Sequence, residues 1–275
     1  MRTRRIAVLI DGGFFLKKLH RLVPEDRCDT AERVAKCATF LCKRHVQRLT
    51  GENFNNQRSR WLDHVYRLFY YDALPFQGVA HHPISNIQIQ FSKTPEAAFR
   101  NELFQHLRRR RKFALRLGKV SKESDWHLTS PALTKKLLRT KDFVSILEAA
   151  AQEAEQPTLP DTERLHLEKI VELWKQLTPD DLRLGLRQKG VDMRIGVDIT
   201  TLTLKREVDT IILVTGDSDF VPAAKVARRE GVEFILDPLW QSVNDDLYEH
   251  VDGVVSAFPK PGSEEDSEAP DSPEN

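Results

Sequence analysis

The segment Thr215-Gly216-Asp217-Ser218-Asp219-Phe220 follows directly on the apolar run Ile211-Ile212-Leu213-Val214 and precedes a helical pattern. A continuous apolar run of this length reads as a buried strand, so two carboxylates stand where a strand gives way to a helix. In open α/β sheets that edge is where ligands bind. The first strand candidate, Ile6 to Ile10, also ends in an aspartate, Asp11. If the two strands are neighbours in one parallel sheet, their three aspartates converge. Closely packed carboxylates repel and take up protons unless a cation neutralises them. Oxygen-only clusters suit Mg²⁺ or Mn²⁺.

The alternation of elements sets the fold class. Strand patterns at 4–10, 65–71, 113–120, 210–215 and 232–236 alternate with helical patterns at 14–22, 30–49, 99–112, 191–204, 220–230 and 243–250. Such alternation implies an α/β fold with a mainly parallel central sheet. Gly231 is expected to close the 220–230 helix in the left-handed conformation. Residues 133–154 and 162–177 are helical in character, with Gln156 to Pro160 as a break. Roughly 93–180 is expected to form a largely helical insertion within a 1–258 domain, followed by a disordered acidic tail at 259–275.

The formal net charge of +1 hides an asymmetry: residues 260–275 carry −5, which leaves the rest of the chain at +6. A modestly basic body permits an anionic partner. Arg108-Arg109-Arg110-Arg111-Lys112, with Phe99, Phe104 and Phe113 interleaved, could follow a phosphate backbone or be a solvated helix face over core aromatics. The three cysteines, Cys28, Cys37 and Cys42, form no Cys-x-x-Cys pair and are expected to be reduced thiols. No apolar stretch approaches the roughly 20 residues that span a bilayer. The five-residue run near the N-terminus is too short for a signal-peptide core. A soluble, cytoplasmic protein is expected.

The chain contains no Walker phosphate loop, no Gly-x-Ser-x-Gly elbow and no His-Glu-x-x-His. Gly12-Gly13 lacks the third glycine of a dinucleotide fingerprint. A cation held by carboxylates, by contrast, lowers the pKa of bound water and stabilises charge on a phosphoryl oxygen, as phosphodiester hydrolysis requires. Each aspartate taken singly has an alternative role: Asp11, Asp217 or Ser218 could cap the helix that follows. His45 on an apolar helix face reads as a core residue, and His81-His82 as part of a loop.

Ile10-Asp11-Gly12-Gly13, Tyr70-Tyr71-Asp72, Lys189-Gly190-Val191-Asp192, Val197-Asp198 and Val214 to Pro222 together resemble the NYN domain of the LabA-like type, within the PIN-like nuclease superfamily. The resemblance spreads over residues 5–256, leaves the middle insertion unmatched, and is most specific from Lys189 to Pro222. It implies a PIN-like (Rossmann-like) three-layer fold and a metal-dependent endoribonuclease. It makes Asp11, Asp192, Asp217 and Asp219 the catalytic, Mg²⁺- or Mn²⁺-binding set. Thr215, Ser218 and Asp198 would support them, and Lys189 would contact RNA. Many members of the family carry asparagine three residues after the first aspartate; here that position is Phe14. The alternatives are a non-catalytic NYN-type RNA- or protein-binding regulatory module, self-associating or not, and a small-molecule phosphatase.

Overall fold

The structure is a computed structural model and describes residues 4–54, 60–144, 148 and 161–262. The acidic tail beyond 262, the expected break at 156–160 and most of the second half of the expected 133–154 helix lie outside the described residues. The strands are β1 (Ile6–Asp11), β2 (Val65–Leu74), β3 (Val79–His81), β4 (Gln88–Gln90), β5 (Phe113–Leu128), β6 (Leu182–Lys189), β7 (Thr210–Val214), β8 (Glu233–Asp237) and β9 (Gly253–Val254). The helices are α1 (Gly12–Leu19), α2 (Ala31–Thr50), α3 (Pro95–Arg108), α4 (Pro131–Leu138), α5 (Asp161–Lys175), α6 (Val191–Leu204), α7 (Val221–Arg229) and α8 (Asp245–Glu249). Seven strands form one sheet in the order β6-β5-β2-β1-β7-β8-β9. β5, β2, β1, β7, β8 and β9 pair in parallel. This is the expected α/β class, and β1 and β7 are direct neighbours.

Why the centre holds together follows from the period of two in its strands. Ile6, Val8 and Ile10 of β1 point to one face with Leu68, Tyr70, Ile212 and Val214, and there meet α1, α2 and α3 through Phe15, Leu19, Val34, Leu41, Leu103 and Phe104. Ala7 and Leu9 point to the other face with Phe69, Tyr71, Ile211 and Leu213, and meet α6 and α7 through Val191, Ile195, Ile199, Ala224 and Ala227. Both faces of β1 and β7 are buried, which explains their unbroken apolar runs. The result is the three-layer arrangement of a PIN-like fold.

The contacts divide the chain into two compact units, one of residues 1–77, 91–121 and 188–275, the other of 78–90 and 122–187. The first contains the layers just described. Helix α3 is part of it: Thr94 caps the helix by accepting from Ala97 N, and Pro95 occupies the first turn. The helix therefore begins and ends earlier than the 99–112 pattern suggests, and Arg109 to Lys112 form the turn into β5. The second unit holds α4, α5, the β3–β4 hairpin and the outer parts of β5 and β6. There His82 is buried: its Nε2 lies 3.1 Å from the Pro179 carbonyl, Nδ1 accepts from the Ile84 and Ser85 amides, and its ring packs edge-on against Trp126. It anchors the loop between β3 and β4, whereas His81, expected in that loop, is the last residue of β3.

Some local expectations needed adjustment. Strand β6 is not among the expected strands, although Leu182, Leu184 and Leu186 alternate with Arg183, Gly185 and Arg187. The helix expected from Phe220 begins with a 3₁₀ turn at Ser218–Phe220, and Gly231 closes it at φ 79°, where a β-carbon would be strained. The final helix starts at Asp245 because Asn244 caps it by accepting from Asp246 N. The three cysteines are free and buried. Among the described residues no helix is long and apolar enough to cross a membrane.

Candidate active site

The parallel sheet brings the C-terminal ends of β1, β2 and β7 to one edge. Asp11 closes β1 opposite Tyr71 of β2, one residue before Asp72. Thr215 follows the last residue of β7, Val214, which pairs with Ile10. Asp11 both caps and contributes to the site. Its Oδ1 accepts from Phe14 N at 3.1 Å, and its Oδ2 accepts from the Thr215 hydroxyl at 3.4 Å. The chain of contacts continues: Asp217 N donates to Thr215 Oγ1, and Asp219 N donates to Asp217 Oδ1. Asp217 thus also fixes the 3₁₀ turn, so the capping role weighed from sequence coexists with placement at the sheet edge.

Asp11 is largely buried, and burial pushes its pKa up from 3.8 to about 6. The Phe14 amide opposes that rise, while the charges of Asp192 and Asp72 add to it. A carboxyl in this setting gains from any cation placed beside it.

Asp72, which the sequence offers only within the Tyr70-Tyr71-Asp72 stretch of the resemblance, belongs to the same neighbourhood. It is completely buried, and burial raises its pKa although Arg100 lowers it. Arg100 Nη1 contacts both its oxygens at 2.5 and 2.6 Å, and Ala73 N donates at 2.7 Å. Gln188 Nε2 approaches at 3.5 Å. The signal that could have found it is the one used for Asp11: an aspartate at the carboxyl end of a buried strand.

The four expected ligands divide between two depressions. Asp11 and Asp217 line one of about 810 Å³, together with Phe14, Lys17, Thr215, Ser218 and Gln241. Asp192 and Asp219 line the other, of about 530 Å³, with Met193, Val197 and Phe220. Asp192, Asp217 and Asp219 are exposed. Among the described residues no group of three or more His, Cys, Asp or Glu side chains is arranged to hold one metal ion. The expected convergence on a single point is therefore not seen: the 3₁₀ turn sends Asp217 to one side and Asp219 to the other. The donors are nevertheless all oxygens: the carboxylates, the Thr215 hydroxyl and the buried Tyr70 hydroxyl, which has no hydrogen-bond partner among the described residues. That chemistry fits a hard cation that keeps several waters and takes one or two carboxylates.

Phe14 packs where the family resemblance leads one to expect asparagine. A β-carbon at Gly216 would stand 2.8 Å from Phe14 Cε2 and 2.5 Å from Gln241 Nε2, so the close approach of ring and loop requires glycine there. Asp198 sits away from this edge. It accepts from the Tyr71 hydroxyl at 2.8 Å and from Arg116 Nε at 2.9 Å, pinning α6 to β2 and β5. Lys189 is exposed three residues before Asp192. His45 Nε2 lies 2.7 Å from Asp237 Oδ2, both buried, and is a core residue as the sequence suggested.

The basic run is not brought to the aspartates. Phe113 is level with Leu68, and Leu68 with Val8, three residues before Asp11. At about 3.3 Å per residue and 4.8 Å per strand, the run starts about 10 Å below Asp11 and two strands, about 10 Å, to the side. Lys112 Nζ donates to the Val65 carbonyl at 2.6 Å, at the opposite edge of the sheet.

Comparison with known proteins agrees with the C-terminal part of this picture. A family model of the NYN domain matches residues 160–257, the stretch that carries Lys189, Asp192, Asp198 and the Thr215–Phe220 turn. No match was found among curated proteins. A solved structure of a protein of unknown function from Vibrio parahaemolyticus is similar at 14% identity over 94% of this chain and 99% of that chain, with a TM-score of 0.37. The chain thus carries an NYN-domain match on a three-layer α/β fold, with a carboxylate-rich edge at the position where such sheets bind ligands.

Proposed function

We propose that the protein is a divalent-metal-dependent endoribonuclease of the NYN type, with the edge formed by β1, β2 and β7 as its centre. The observation that carries this reading is the largely buried Asp11, held by Thr215, with Asp192 and Asp72 close enough to raise its pKa. Asp11, Asp192, Asp217 and Asp219 would hold Mg²⁺ or Mn²⁺, in part through water. The ion would supply an activated water and charge stabilisation at the phosphoryl oxygen. The protein's own residues do the rest. Thr215 orients Asp11, the 3₁₀ turn at Ser218–Phe220 fixes the directions of Asp217 and Asp219, and exposed Lys189 meets a phosphate. The NYN-domain match supports the same reading.

Phe14 favours a second reading, an NYN-type module that binds RNA or protein without cutting, because its ring replaces an amide beside the carboxylates. Cleavage of a labelled mixed-sequence RNA in Mn²⁺, Mg²⁺ or EDTA separates the two. Metal-dependent fragments establish the enzyme; binding without fragments in every condition establishes the module.

A further inference from the structure

Four arginines in succession are more than a helix terminus uses. One or two cations in the last turn complement the helix dipole and the free carbonyls of α3. Here Arg108 ends the helix, Arg109 to Arg111 form the turn, and Lys112 enters β5 at φ 66°. Lys112 is committed to the Val65 carbonyl, and Arg110 is half-buried near Glu32. Arg108, Arg109 and Arg111 are exposed and form no ion pair among the described residues. The carboxylates of α3 are engaged elsewhere: Glu102 with His106, and Glu96 with Arg100. Arg67, on the neighbouring strand one residue before the Leu68–Phe113 pair, is exposed as well. The turn therefore presents a compact surplus of guanidinium groups at the edge of the sheet opposite the aspartates.

We infer that this turn is a second RNA contact, an anchor that holds the phosphate backbone away from the point of cleavage. The inference rests on the RNA reading above and adds a division of labour to it. Arg108, Arg109 and Arg111 bind the strand, and the aspartate edge acts on a different part of the same strand. Guanidinium forks match phosphate oxygens and carry no base preference, so the anchor is indifferent to sequence. The offsets of about 10 Å along and about 10 Å across the sheet put the two places at least about 14 Å apart. At roughly 3.4 Å per stacked nucleotide, an RNA of about three nucleotides cannot occupy both, whereas one of about thirty can.

The test compares the wild type with the Arg108→Ala, Arg109→Ala, Arg111→Ala triple variant and with the corresponding triple lysine variant. Binding of a labelled RNA of about thirty nucleotides is measured by anisotropy in EDTA, with a salt series. The alanine variant is expected to bind about tenfold more weakly, with a salt slope lower by about 2, from three lost contacts at about 0.7 each. The lysine variant is expected to keep most of the affinity. Cleavage in Mn²⁺ of an RNA of about three nucleotides is expected to be equal for all three proteins, with KM raised only for the long substrate. Unchanged binding of the long RNA by the alanine variant, no binding by the wild type, or equal loss on the short substrate overturns the anchor. Loss of affinity in the lysine variant as large as in the alanine variant overturns it too. A wild type that binds in this way but cuts nothing leaves the anchor standing and removes the nuclease reading.

Discussion

Replacing Asp11 by asparagine should stabilise the protein while removing its activity. In the wild type, burial and the charges of Asp192 and Asp72 raise the Asp11 pKa from 3.8 to about 6. Because the folded-state value lies above the unfolded one, ionisation works against folding. The penalty is absent below about pH 3.8, grows between there and pH 6, and is complete above it. A shift of about two units corresponds to about 3 kcal/mol at 1.36 kcal/mol per unit. Asparagine is as good an N-cap as aspartate, so the bond from Phe14 N survives with only its charge assistance lost. Asp11→Asn should therefore be about 2–3 kcal/mol more stable than wild type at pH 7.5 in EDTA. Urea unfolding of both proteins at pH 7.5 and pH 4 measures it. The advantage should shrink to a few tenths of a kcal/mol at pH 4, where the wild-type carboxyl is largely protonated. Equal stability at pH 7.5, or an advantage that persists undiminished at pH 4, would refute the electrostatic account of this site.

Other expectations follow from the same geometry. Arg100→Met leaves Asp72 buried without its guanidinium, and urea unfolding at pH 7.5 should show a loss of about 3–5 kcal/mol, much of it recovered by adding Asp72→Asn. Mn²⁺ should raise the midpoint of thermal unfolding of the wild type and leave that of Asp11→Asn unmoved, as linkage requires of a ligand that binds only the native site. Gly216→Ala drives a methyl into the Phe14 ring and should cost about 1–3 kcal/mol in the same unfolding assay, with Phe14→Leu in the same chain reducing the cost. Deleting residues 260–275 removes a charge of −5 and should tighten RNA binding at low salt, with the difference fading in high salt.

The sequence disclosed those parts of the fold in which one local pattern decides the outcome. β1 and β7 are buried on both faces, so their apolar runs had one reading, and their adjacency brought Asp11 and Thr215 within a hydrogen bond. Asp72 needed no new principle. It lies near the carboxyl end of β2 as Asp11 lies at that of β1, but its partner Arg100 comes from α3, a contact that no local pattern encodes. The direction of side chains around the 3₁₀ turn was equally out of reach. Asp-Ser-Asp looks like a pair, yet the turn distributes its carboxylates between two depressions. The arginine run was legible as charge, whereas its position depended on Thr94 and Pro95 starting α3 early and on β5 pairing in parallel with β2. Asp198, grouped with the site only by the family resemblance, lies nearly two helical turns along α6 and is held by Tyr71 and Arg116.

That contrast supplies the most direct test of the central claim. Labelled RNA should be incubated in Mn²⁺ with the wild type and with single asparagine replacements of Asp11, Asp192, Asp217, Asp219 and Asp198. The account predicts cleavage by the wild type, abolished by EDTA and by each of the first four replacements, and retained by Asp198→Asn. Cleavage that survives Asp217→Asn and Asp11→Asn, or a folded wild type that cuts nothing with either Mn²⁺ or Mg²⁺, would contradict it.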